Sequence, residues 1–192
     1  THKSEVRNQL FDLAHRHLEA AGISRQLDGV IEPASRARAL LDEVKIFRSL
    51  SEDERNQIAR SMVAQTYAAG QVVLTVDEVP DSLMVIATGV ISVSVAGATG
   101  PVEAGRMGPG EIMGEESVLA DAPSQATFTS LTSTLIYRID KSLTRECIAQ
   151  RADVGRALNT LKAVREQSSR SALMAAPHPI KKGGFLSWLQ TR

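Results

Sequence analysis

Between residues 67 and 140 the chain offers no long helical period. Short runs rich in Val, Ile and Thr occupy 72–76, 83–87, 90–95, 127–129 and 134–139. Gly, Pro and Asp separate them at close intervals. Strands this short and this closely spaced have no room for the crossover helices that parallel sheets need. The stretch is therefore expected to form an antiparallel all-β sandwich or barrel, with turns at Gly89, Gly97, Gly100, Gly105, Gly108 and Gly110.

Helical periodicity brackets this region on both sides. Residues 4–21 carry Val6, Leu10, Leu13, Leu18 and Ala21 as an apolar stripe, with Ser4 as N-cap and Gly22 as terminator. His15 and His17 lie two apart on different faces, a poor arrangement for a metal. A second helix starts near Pro33 and turns Ala37, Leu40, Leu41, Val44 and Phe47 inward. Ser51 and Glu54 have capping-box spacing for a third helix, whose apolar face continues through Ile58 to Met62 or Val63. After Asp140, Leu143, Cys147 and Ile148 mark a short helix, with Cys147 read as core. Asp153 is the expected cap of a longer helix bearing Val154, Leu158, Leu161 and Val164. Pro177, Pro179 and the Lys181–Gly184 run read as a linker before a short apolar tail, Phe185 to Leu189. The expected organisation is an extension at 1–39, a domain at 40–175 (β-roll about 67–140, helices 141–175), and linker plus tail at 176–192.

Charge and chemistry narrow the function. The chain of 192 residues is neutral overall, with 22 basic and 22 acidic residues. Residues 67–140 hold two basic residues against nine acidic, a net of −7, and residues 141–192 hold ten against three, a net of +7. Two opposed surfaces that help each other dock fit this better than a nucleic-acid face, because the basic residues are scattered. The single cysteine rules out an internal disulfide framework and cysteine-rich zinc sites. No Ser-His-Asp order, metal cluster or P-loop is present, and no His lies between His17 and His178. The expectation is a non-enzyme. No apolar run nears the ~18 residues of a membrane span, and no signal peptide is visible. The chain opens on Thr1. Together these suggest a cytoplasmic module cut from something larger.

The most informative segment is 108–128, GPGEIMGEESVLADAPSQATF. A helix of one or two turns fits from Glu115, and its first amides lack internal partners and can face a phosphate. Gly114 lets backbone approach a ligand closely. This run resembles the phosphate-binding cassette of the cyclic-nucleotide-binding domain family, the fold of the catabolite activator protein, protein kinase A regulatory subunits and cyclic-nucleotide-gated channels. Gly114-Glu115, then Ser117-Val118-Leu119, then Pro123, Ala126 and Thr127 match its pattern. Residues 41–60 resemble the family's entry helices, and 81–90 its middle strands.

The resemblance implies an α+β fold: an antiparallel β-roll or jelly-roll barrel flanked by N-terminal helices and a C-terminal lid helix at about 154–173. It implies a cyclic nucleotide, cAMP or cGMP, as ligand, with no cofactor required. Glu115 would accept from the ribose 2′-hydroxyl, and the backbone amides of Ser117 and Val118 would face the cyclic phosphate. The candidate ligand-binding set is Gly114, Glu115, Glu116, Ser117, Val118, Ser124, Gln125 and Ala126, no metal ligand among them. Glu116 taken alone reads as a solvated acid. Two departures stand out. Ser124 replaces the Arg that pairs with the phosphate, which should weaken binding roughly ten- to a hundred-fold. Asp77 replaces a glycine ahead of the middle strands.

The expected function is a non-catalytic regulatory sensor with weak or altered nucleotide binding, attached to an effector such as a channel. The competing expectation is an interaction or dimerisation module that binds no nucleotide. Either suits a homo-oligomer. No recognition helix follows the lid helix, so a catabolite-activator-type transcription factor does not fit. Residues 4–23 are similar to the end of the cytoplasmic domain of small-conductance mechanosensitive channels, which would tether the module to a membrane oligomer.

Overall fold

The computed structural model describes residues 33–176. The helix read at 4–21 with His15 and His17, and the Phe185–Leu189 tail, lie outside the described residues. The elements in chain order are α1 (Pro33–Glu43), a 3-10 turn (Lys45–Phe47) and α2 (Glu52–Ser61), followed by strands β1 (Val63–Tyr67), β2 (Val72–Leu74), β3 (Ser82–Thr88), β4 (Ile91–Gly97), β5 (Gly100–Met107) and β6 (Ile112–Met113). Next come α3 (Glu115–Ala120), β7 (Thr127–Ser130), β8 (Thr134–Asp140), α4 (Lys141–Gln150) and α5 (Ala152–Ala175).

Among the described residues, eight strands form two antiparallel sheets, ordered β1-β8-β3-β6 and β2-β7-β4-β5. This is the expected α+β β-roll flanked by helices. Strand β3 explains its own composition. Leu83 and Val85 face the helices, where Leu41, Val44, Phe47, Tyr137, Val154 and Leu158 complete one core. Met84 and Ile86 face the other sheet and pack with Leu74, Ile91, Phe128 and Ile136 in a second core. A strand buried on both faces reads as a continuous apolar run rather than an alternating one.

Several boundaries differ from expectation. Residue 63 opens a strand instead of ending a helix. Strand β1 is an edge strand with four exposed residues followed by buried Tyr67, so it carries no apolar run. Strand β5, read from sequence as a string of turns, pairs with β4 from Ile91↔Met107 to Gly97↔Gly100. Asp153 does not cap α5. That helix opens at Ala152, and Asp153 sits in its first turn, where an acid favours the helix dipole. The cap that does form is Asp140, whose carboxylate accepts from the amides of Ser142 and Leu143 at the start of α4. Cys147 is half-buried against the first core, and burial raises its thiol pKa. Asp77 adopts φ +69. Asp tolerates this left-handed conformation better than most side chains, so it can stand where the resembled pattern has glycine.

The Ser51–Glu54 capping box is present, with the Ser51 amide donating to Glu54 at 2.6 Å and the Glu54 amide to Ser51 Oγ at 3.3 Å. The same carboxylate accepts two bonds from Arg151, at 2.9 and 2.7 Å, tying α2 to the α4–α5 junction. Arg151 and the cap hold the Glu54 pKa down at about 2. A carboxylate depressed from its ordinary ~4.3 contributes stability above that value and loses it as pH falls. Glu54→Gln should therefore lower the melting temperature at pH 6–7, with the gap to wild type closing between about pH 4.5 and pH 2. Melts across that range check it.

Gly89 closes the β3–β4 turn at φ +94, and a Cβ there would lie 2.6 Å from the Ser133 carbonyl oxygen. Gly89→Ala should cost at least about 2 kcal/mol, lowering Tm by about 4–8 °C, measurable by circular dichroism.

Candidate functional site

Helix α3 and the turns beside it are placed by strand β3 and the loop ahead of it. Gly114 at φ +88 is the N-cap of α3. A Cβ there would sit 2.6 Å from the Ser82 carbonyl oxygen, so the cassette backbone rests directly on β3. Ser117, fully buried, donates its hydroxyl to the Pro80 carbonyl at 2.5 Å. The far end of α3 is held by α4. Arg145 donates to the carbonyls of Val118 and Ser117 at 2.8 and 3.1 Å and pairs with Asp121 at 2.6 Å. Lys141 pairs with the other Asp121 oxygen at 2.5 Å. These two cations hold the Asp121 carboxyl below its ordinary pKa.

Between this cassette, the β-roll and α5 lies a cavity of about 230 Å³. Gly114, Glu115, Glu116, Ser124, Gln125 and Ala126 of the predicted set line it, and Ser117 and Val118 do not. Ser117 faces Pro80, and the Val118 amide bonds the Gly114 carbonyl at 3.3 Å. Ser124 is buried, and its hydroxyl donates to the Ala126 carbonyl at 2.8 Å within its own turn. The reading of Glu116 as a solvated acid is corrected. The side chain is half-buried in the cavity wall and accepts from the Gln125 amide at 3.4 Å. Burial, and then the adjacent Glu115, push its carboxyl pKa up.

The residue that sequence reasoning missed is Arg165. It projects from α5 onto Glu115, with Nη1 2.6 Å from both carboxylate oxygens. Nη2 donates to the Ile112 carbonyl and lies 3.8 Å from the Met107 sulfur. The Glu115 side chain is 4% exposed and that of Arg165 23%. A carboxylate this buried requires a partner, and the lid helix supplies it from fifty positions downstream. Of the two barrel arginines, Arg106 lines the cavity and pairs with Glu103 at 2.9 Å. Arg138 lies elsewhere, bonded to Asp81, Ser82 and Gln65. The apolar part of the wall comes from Val93, Ala104, Phe128, Leu161 and Val164.

The model of the cyclic nucleotide-binding domain family matches residues 64–151. The chain carries a domain of that family. Among similar curated proteins is a cAMP-dependent protein kinase regulatory subunit of Yarrowia lipolytica, 31% identical over 115 residues, which are 60% of this chain and 30% of the relative. The chain thus spans less than a third of that relative's length. Similar solved structures include the regulatory domain of Toxoplasma gondii protein kinase A with cAMP, with a TM-score of 0.58 and 16% identity over 70% of this chain and 50% of that one. Another is the regulatory subunit of a cAMP-independent protein kinase A from Trypanosoma cruzi bound to guanosine, with a TM-score of 0.55 and 20% identity over 71% and 53%. Both structures share the fold. Among the described residues, no helix of the cyclic-nucleotide-binding-type domain is long and apolar enough to cross a membrane.

Arg165→Ala strands Glu115 without its cation. Removing one partner of a buried pair costs about 3–5 kcal/mol, and partial exposure of Arg165 reduces this to about 2. Thermal unfolding should drop by about 4–8 °C. Adding Glu115→Gln to the variant should restore part of the loss.

Proposed function

We propose that this chain is a non-catalytic regulatory sensor in which ligand occupancy of the cavity under α5 sets the position of that helix. The observation that carries the reading is the Arg165–Glu115 pair. Glu115 stands where the family resemblance assigns the ribose contact, so a ligand engaging it must compete with, or rearrange around, the lid helix. Position of α5 then reports occupancy to an attached effector, such as a channel, working in the cytoplasm. Regulatory subunits of protein kinases among the relatives support a regulatory role. The solved neighbours, one with cAMP and one with guanosine, support a nucleotide-like ligand.

Cyclic nucleotides should bind weakly. Ser124 offers no cation, and its hydroxyl is engaged by Ala126. Isothermal titration of the full chain with cAMP and cGMP should give weak binding or none within the titrated range. Ser124→Arg should tighten it roughly ten- to a hundred-fold, the worth of one charge-assisted hydrogen bond. If both proteins stay silent while melting cooperatively, the cavity is not a cyclic-nucleotide site.

A further inference from the structure

We propose that the cavity under α5 selects an uncharged ribonucleoside over a 3′,5′-cyclic nucleotide. This rests on the reading that the cavity holds a nucleotide-like ligand and specifies the chemistry of that ligand. The wall brings four carboxylates together, those of Glu111, Glu115, Glu116 and Glu166, against two guanidiniums. Both guanidiniums are already paired, Arg165 with Glu115 and Arg106 with Glu103. On α5 Lys162 pairs with Glu166 at 3.7 Å. A phosphodiester anion entering here would have to share a cation with a carboxylate that already holds it.

The cassette's own donors point the same way. The Gln125 amide faces the Glu116 carboxylate, so a carboxylate of the chain lies where an entering anion would seek an amide. The Ser124 hydroxyl is closed into its own turn. Carboxylates accept hydrogen bonds and do not donate them, and each oxygen can accept more than one. The hydroxyls of a ribose, three when it carries no phosphate, can donate to Glu115 and Glu116 beside the bonds these already accept from Arg165 and Gln125. Val93, Phe128 and Leu161 supply an apolar wall for a flat base.

The test is isothermal titration of the 192-residue chain with adenosine, guanosine, cAMP and cGMP. One nucleoside should bind at least about tenfold more tightly than its own cyclic monophosphate. Glu115→Gln, checked for cooperative melting, should weaken the nucleoside roughly tenfold or more, since a hydrogen bond to a charged group is lost. A Glu116→Gln/Ser124→Arg double variant should remove the preference by raising cyclic-nucleotide affinity. A cyclic nucleotide binding wild type more tightly than its nucleoside overturns the inference and leaves the sensor reading standing. Nucleoside binding indifferent to Glu115→Gln also overturns it, because the ligand then sits elsewhere. Silence towards all four ligands from a folded chain removes the sensor reading itself and the inference with it.

Discussion

Strand β3 is buried on both faces, and the placement of everything else follows from that. Its odd residues, Leu83 and Val85, belong to the core shared with the helices, and its even ones, Met84 and Ile86, to the core between the sheets. A one-residue slip would exchange the two sets. Pairing with β8 from Ser82↔Asp140 onward fixes the register. Because the register is fixed, the backbone oxygens at the head of the strand are fixed as well. Those oxygens, of Pro80 and Ser82, are what Ser117 bonds and Gly114 rests against. The cassette is therefore positioned by core packing and backbone contact.

From the cassette two routes lead to α5. One runs through Arg145 and Lys141, which hold the end of α3 and belong to α4. At the α4–α5 junction, Arg151 is bound to Glu54 of α2. The other route is direct, through Arg165 to Glu115. The first fixes the base of α5 against the N-terminal helices, and the second fixes its middle against the cavity. Beyond its base the helix is tied by this ion pair and by Leu161 and Leu173, which pack against the two cores, so a shift of α5 must change all of these contacts. Val164 and Met174 are largely exposed and add little to that packing.

Sequence made much of this legible where one residue type has one physical meaning. The 83–87 run announced a strand, Ser51 and Glu54 announced a cap, and the Gly114–Glu115 pair announced the turn into α3. The misses share a different cause. Strand β1 exposes four of its five residues, so its pairing with β8 leaves no apolar imprint. Strand β5 is mostly exposed or half-buried at the sheet edge, and Gly and Pro dominated its reading. Glu116 was read as solvated because its burial comes from α5 and the cassette turn folding around it. Arg165 sits among charged neighbours on α5 that are mostly surface residues, and only the fold sets it apart from Lys162 or Arg170. Contacts between elements fifty residues apart leave no periodic signal.

A cation carried on the lid helix differs from one carried in the cassette in what charge compensation depends on. A guanidinium at position 124 would belong to the rigid roll and would be present however α5 lay. Arg165 belongs to the helix that covers the cavity. Glu115, with almost no solvent access, is compensated only while α5 holds its place. Helix position and the electrostatic state of the pocket thus become a single variable. A ligand supplying hydrogen bonds to Glu115 would lower the need for Arg165, and so weaken one of the contacts that hold α5. Under the proposed function, a wall without a cation at position 124 and a lid helix bearing Arg165 would give the domain a means of converting occupancy of its pocket into movement of its last helix.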